Sequence, residues 1–187
     1  MREQKFTLQH YLWENNGYEP KVEYTLSKVE NGLRMHIVAQ ESDPRRVETR
    51  HQHYVHTDSC VEWFVIFDPE LTNKYFNFEV NANGAMYVNF KSDEDGDSIL
   101  LDVSDVEALN IQAQVHENTW EITYTVTFDW IRKFIPGYEF KEGMKIRANF
   151  YKCGDATEYP HFGMWNKVES EIPCFHKSEY FREIVLD

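Results

Sequence analysis

Apolar and polar residues alternate with a period of two along most of this chain, the pattern of strands that turn one face to a core. Segments 22–28 and 33–40 alternate in this way on either side of Glu30-Asn31-Gly32, which predicts a hairpin. Segment 61–68 (VEWFVIFD) is apolar at both parities and predicts a central strand covered on both faces. Turn residues at 68–73 (DPELTN) predict a loop. A strand over 74–81 follows, and Asn83-Gly84 turns the chain into another over 85–90. Segments 111–117 and 119–127 form a hairpin across Asn118. Segment 128–135 (FDWIRKFI) changes to helical spacing and stops at Pro136-Gly137, predicting one short helix. A long strand over 144–153 and a last one over 180–186 complete the set. No internal repeat, low-complexity tract or linker interrupts it. Many strands with one short helix read as an all-β, antiparallel β-sandwich with immunoglobulin-like or jelly-roll-like layers, a single domain over 1–187.

Strand parity also sorts the polar residues. In 74–81, Phe76, Phe78 and Val80 point one way, and Tyr75, Asn77, Glu79 and Asn81 the other. In 144–153, Met144, Ile146, Ala148 and Phe150 alternate with Lys145, Arg147, Asn149 and Tyr151. The hairpin over 111–127 turns out Gln112, Gln114, His116, Glu121, Thr123, Thr125 and Thr127. Taken together, these strands predict one sandwich face lined with amides, hydroxyls, a carboxylate and a guanidinium. Such planar donors and acceptors suit the hydroxyls of a sugar. An ordinary solvated outer face accounts for the same residues.

Composition narrows the partners. Nineteen Lys and Arg against 32 Asp and Glu give a net charge of −13, which repels phosphate backbones and anionic bilayers. Nucleic acid and membrane are therefore excluded as partners. No stretch approaches the length of a transmembrane helix, and the start MREQKFTLQH lacks the apolar core of a signal peptide. As given, the chain reads as cytoplasmic, and as extracellular if a leader has been trimmed. Cys60, Cys153 and Cys174 are an odd, sparse set without CxxC spacing, and read as free thiols.

Several segments carry candidate chemistry. The run 51–58 holds His51, His53, His56 and Asp58; on a strand His51 and His53 would share a face, as in some metal sites, and a partly exposed polar strand or loop is the plainer reading. Asp93, Asp95 and Asp97 alternate around Gly96 like part of a calcium loop, without its distant bidentate Glu, so a calcium ion and an acidic surface turn both stand as readings. Glu62 and Glu79 form a candidate glycosidase pair, which requires a particular separation across a bound sugar. Finally, the stretch 149–165 runs from a strand into a loop carrying His161 and Trp165; a Trp there can stack on a pyranose ring or cap the end of the core.

Four blocks, DSCVEWFVIFD at 58–68, YFNFEVNANGAMY at 75–87, ANFYKCGDATEYPHFGMWNKV at 148–168 and PCFHKSEYFREIVL at 173–186, together resemble the family 9-like carbohydrate-binding modules, the bacterial group related to the xylanase-associated family 9 module. The resemblance implies a β-sandwich that binds terminal sugars or short oligosaccharides without turning them over, in association with glycoside hydrolases and polysaccharide breakdown, requires no cofactor and leaves room for structural calcium. It implies Trp165 as a stacking aromatic and Glu62, Asn81 and Asn149 as polar contacts. The second stacking Trp of the xylanase-type modules is absent; Tyr54 or His56 stands in its place, and Glu79 stands where those modules can carry a basic residue. A sugar-active hydrolase using Glu62 and Glu79, and a partner-docking protein that has lost sugar binding, are the alternatives.

Overall fold

In the computed structural model, residues 3–13, 15–94 and 96–186 are described. The strands are β1 (Gln4–Thr7), β2 (His10–Tyr11), β3 (Val22–Val29), β4 (Gly32–Ala39), β5 (Cys60–Ile66), β6 (Tyr75–Asn81), β7 (Met86–Lys91), β8 (Ser98–Leu100), β9 (Gln112–Val115), β10 (Trp120–Thr127), β11 (Met144–Cys153), β12 (Phe162–Met164) and β13 (Arg182–Leu186). Two short helices, α1 (Val103–Glu107) and α2 (Phe128–Phe134), accompany them. The expected helix is α2, capped by the Thr127 hydroxyl accepting from the Trp130 amide. The second helix, α1, was not expected from the pattern: five residues are too few to display a periodicity.

One sheet has five strands in the order β1-β3-β4-β10-β9. The other runs β2-β12-β11-β5-β6-β7-β8. Its β11 pairs along one edge with β5 and along the other with β12, through residues 151–153, and with β13, through 144–148. Every observed pairing is antiparallel. Between the sheets lies an aromatic core in which Trp63, Phe67, Phe76, Phe78, Tyr124 and Phe150 are completely shielded. Rings stack face to face where neighbouring strands bring them level, as for Trp63 with Phe78 at 5.5 Å and Phe76 with Phe90 at 4.4 Å.

The parity reading needs one correction. Gln112, Gln114, Glu121 and Thr123 belong to the five-stranded sheet, whereas Asn77, Glu79 and Asn149 belong to the other, so the polar residues occupy two faces on opposite sides of the molecule. The faces also differ in kind. On β10 the polar residues remain partly exposed, while every residue of β5 and β6 is buried. A second apolar cluster explains this: Cys60, Phe64, Tyr75, Tyr151, Met164, Phe175 and Phe181 pack on the outer face of the larger sheet, beneath the segments that leave and rejoin β11. The central strand expected to be covered on both sides is β5.

Tyr24 of β3 ties the two sheets together. Its hydroxyl crosses the core, donates to the carbonyl of Tyr151 and accepts from the amide of Glu62 at 3.3 Å. Those two residues face each other across β11 and β5. Replacing Tyr24 by Phe leaves both groups buried without that partner. The variant is expected to lose about 1–3 kcal/mol of stability, read from urea unfolding at constant m-value.

Candidate functional site

The outer face of the larger sheet holds a cavity of about 380 Å³. Register builds its floor. Glu62, Glu79 and Tyr87 stand level on β5, β6 and β7. Beside them Asn77 and Asn89 are level on β6 and β7, with Lys91 two residues further along β7. Side chains on one face at neighbouring strands have Cβ atoms about 5 Å apart, so the two carboxyl groups lie side by side. The walls are mostly loops: His53, Tyr54 and His56 from the segment between β4 and β5, and Asp155, Cys174, Phe175 and His176 from the chain after β11, joined by Phe162 at the start of β12.

Hydrogen bonds hold these walls in place. Buried Asp58 accepts from the amides of Val47 and Glu48 at 2.9 and 2.8 Å and from Asn81 Nδ2 at 2.8 Å, and pairs with Arg45. Asn81 also accepts from the amides of Asn83 and Ala85. The run 51–58 is accordingly turns and one turn of 3-10 helix at Val55–Thr57, not a strand, and the expected pairing of His51 with His53 on one face does not occur. His51 Nδ1 accepts from the Met86 amide, whereas His53 and His56 line the cavity. The two walls meet where the amides of Asp155 and Ala156 donate to the carbonyls of His56 and Thr57, each at 3.1 Å. Gly154 is needed at this junction, because a Cβ there would come within 2.7 Å of both His161 and Thr157.

The other expected site residues divide clearly. Glu62, Glu79 and Tyr54 reach the cavity. Asn149 accepts from the amides of Phe150 and Asn166 and donates to the Asn166 carbonyl, so its amide is spent on holding the chain after β12. His161 is fully buried: Nδ1 is bonded to the Tyr159 carbonyl at 2.7 Å, and Nε2 meets Lys152 Nζ at 2.6 Å. Burial and the Lys152 charge lower its pKa to about 4, so it is neutral at pH 7. Trp165 is half-buried apart from the cavity, edge-on to Phe6 at 5.1 Å and Phe150 at 5.6 Å, with the Arg182 guanidinium over its ring. Asp93 accepts from the Tyr75 hydroxyl and the Ser178 amide, and Asp97 meets Lys74; Asp95 lies outside the described residues. Among the described residues, the side chains close enough together to hold a metal ion are Cys60, Glu62 and Cys153, not the acidic loop.

Asn77, which strand parity had placed on the polar face, also lines the cavity, as do Tyr87, Asn89, Lys91, Phe175 and His176, which were not anticipated. Tyr87, Asn89 and Lys91 were within reach of strand parity too, since they recur every second residue on β7. Phe175 and His176 sit in an irregular segment that offers no such signal. His176 is held by a ring stack on Phe64 at 5.0 Å and a 3.0 Å hydrogen bond to the Tyr75 hydroxyl. Burial lowers its pKa to about 4.

Both floor carboxyl groups are pushed toward the neutral form. Glu62 accepts from the Cys153 thiol at 2.9 Å and, chiefly through burial, lies well above the usual carboxylate range. Glu79 accepts from Asn77 Nδ2 at 2.7 Å, and burial raises it to about 7.

The profile of Carbohydrate-binding family 9 matches residues 1–186. The chain belongs to this family. Among solved structures, it is similar to a protein from Bacteroides uniformis ATCC 8492 to which carbohydrate binding has been ascribed, with 23% identity and a TM-score of 0.86 over 98% of this chain and 86% of that one. It is also similar to a family 9 carbohydrate-binding module from Caldicellulosiruptor kristjanssonii. The module in complex with cellotriose matches at 9% identity and a TM-score of 0.63 over 97% of this chain and 81% of that one. In complex with glucose the figures are 10% and 0.60 over 91% and 78%. At these identities the likeness concerns the fold. None of the curated proteins matches the chain in sequence.

Raised carboxyl pKa values make the floor pH-sensitive. An acid with a folded-state pKa near 7 and an unfolded value near 4.5 binds its proton more tightly when folded, so its contribution to stability is complete below pH 4.5 and is lost as the pH rises to 7. For Glu79 the loss amounts to about 3 kcal/mol. Glu79→Gln should therefore match wild type near pH 4.5 and exceed it in melting temperature at pH 8, as followed by thermal unfolding across that range.

Proposed function

We propose that this family 9 protein binds a terminal sugar or short oligosaccharide in the cavity on the outer face of its larger sheet, without turning it over. The observation that carries this reading is the lining itself. The carboxyl groups of Glu62 and Glu79 and the Lys91 ammonium offer charged partners to ring hydroxyls, the amides of Asn77 and Asn89 hold Glu79, Tyr87 and Ser98 in place around them, and Tyr54, Tyr87, Phe162 and Phe175 offer apolar surface beside them. The volume, about 380 Å³, is at the small-ligand end of the range for binding pockets. Cellotriose and glucose, bound by the Caldicellulosiruptor module, are ligands of that class.

Aromatic stacking comes from Tyr54 in this reading. Tyr54 is 73% exposed at the rim, set edge-on to His56 at 5.9 Å, so a sugar ring can cover it at little cost in displaced protein contacts. Trp165 instead packs on Phe6 and Phe150. A melting-temperature and calorimetric screen of glucose, xylose, galactose, cellobiose and xylobiose at millimolar concentration names the ligand. With that ligand, Tyr54→Ala is expected to weaken binding by about 2- to 10-fold, the worth of one aromatic contact. Trp165→Ala is expected to lower the melting temperature and leave affinity within about twofold. The reverse pattern would move the stacking role to Trp165, and the absence of any sugar effect would overturn the reading.

A further inference from the structure

The cavity differs from the rest of the protein in how it treats buried charge. Five acidic side chains among the described residues are buried: Glu41, Asp58, Glu62, Glu79 and Asp105. Three of these have a cation of their own within the fold. Glu41 pairs with Lys152 at 3.2 Å, Asp58 with Arg45, and Asp105 with Lys133. Glu62 and Glu79, 3% and 7% exposed, have none within ion-pair distance among the described residues. Each uses one oxygen to accept from a neutral donor, the Cys153 thiol or the Asn77 amide, and each faces the cavity. Burying carboxylates without a counter-charge is costly, and two side by side are costlier.

The remaining charged groups around the cavity redress this only in part, Lys91 drawing Glu79 toward its ionised form from beyond ion-pair distance. Asp155 adds a third carboxyl group. Lys91 is the one lysine or arginine in the lining, and its ammonium lies over the Tyr75 ring at 5.9 Å. Of the histidines there, His56 sits 4.0 Å from Asp155, His53 4.0 Å from Glu48, and His176 is bonded to Tyr75.

We infer that the ligand this cavity is built for supplies the missing positive charge: an amino sugar, its protonated amine seated between Glu62 and Glu79. The inference rests on the sugar-binding reading and narrows it. Each carboxylate has an oxygen left for an ammonium donor, and a hexosamine carries one ammonium among several hydroxyls, matching two acids set among amides. Binding would draw the two carboxyl groups into their ionised form and release protons.

Glucose, glucosamine, N-acetylglucosamine and ethanolamine, titrated by calorimetry at pH 7 in low-salt buffer free of amines, test this directly. Calcium chloride is a separate arm. Glucosamine is expected to bind at least tenfold more tightly than glucose or N-acetylglucosamine, and than ethanolamine, with its advantage reduced by added sodium chloride. Glu79→Gln keeps the shape and the Asn77 contact, and should bring glucosamine to within about threefold of glucose; its melting curve confirms that it is folded. Glucose or N-acetylglucosamine binding as tightly as glucosamine to the wild type would overturn the charge inference and leave sugar binding standing. Calcium uptake abolished by Glu79→Gln, with no preference for the amino sugar, would overturn it in favour of a metal ion. Ethanolamine binding as well as glucosamine, with glucose inert, would overturn the sugar reading instead, as would no binding by any sugar.

Discussion

A sheet covered on both faces must satisfy every polar group it carries, and most of this structure follows from that constraint on β5, β6 and β11. Their inner faces are apolar except for Lys152 at one end of β11, and meet the aromatic core. Their outer faces carry Glu62, Asn77, Glu79, Asn81 and Asn149, all buried under loop. Desolvating such groups costs several kcal/mol each unless they find partners. Asn81 and Asn149 find them in the backbone of the covering segments, and so determine where those segments run. Asp58 does the same for the loop entering β5. What looks like a decorated surface is a second core, polar where it grips loop backbone and apolar around Phe64, Tyr151 and Phe175.

The cavity is the region where this accounting was left open. At one end of the inner core, Glu41 is closed off by Lys152, the Trp120 indole and the Ser59 hydroxyl, four buried side chains with their charges matched. On the other face of the same sheet, on strands next to Lys152, Glu62 and Glu79 keep part of their hydrogen-bonding capacity directed into open space. Proteins retain incompletely compensated groups of this kind where binding completes them, and perturbed carboxyl groups in a cleft are a physical marker of such places.

Much of the fold was legible because the long strands obey one rule. Over β3, β6, β7, β10 and the first part of β11 apolar and polar positions alternate, whereas Val61–Ile66 of β5 is largely apolar on both sides, which is the property of a doubly covered strand. The short strands β1, β2, β8 and β12 were not legible: two to four residues show no period, and pairing alone makes them strands. Parity also assigns a side chain to a face without saying which sheet that face belongs to, so Gln112 and Asn77 were joined across the thickness of the molecule. Of the site, Glu62, Glu79 and Tyr54 were foreseeable, since carboxyl groups inside apolar strands and an aromatic in a polar loop stand out against their neighbours. Asn81, Asn149 and His161 were foreseeable as buried polar groups, but sequence does not reveal that their partners are backbone and Lys152.

The divided edge of β11 has an architectural consequence. The segment from Gly154 to Phe181 leaves the end of that strand, returns to it as β12, and rejoins its beginning as β13. One wall of the cavity is thus a chain excursion anchored at both ends, and midway, on a single strand. Only 162–164 and 182–186 of the chain after β11 pair with it, so the rest of the excursion is held by side-chain and turn contacts, not by strand register. The outline of the pocket on this side is therefore set by contacts of the excursion itself, while the sheet beneath is set by strand pairing.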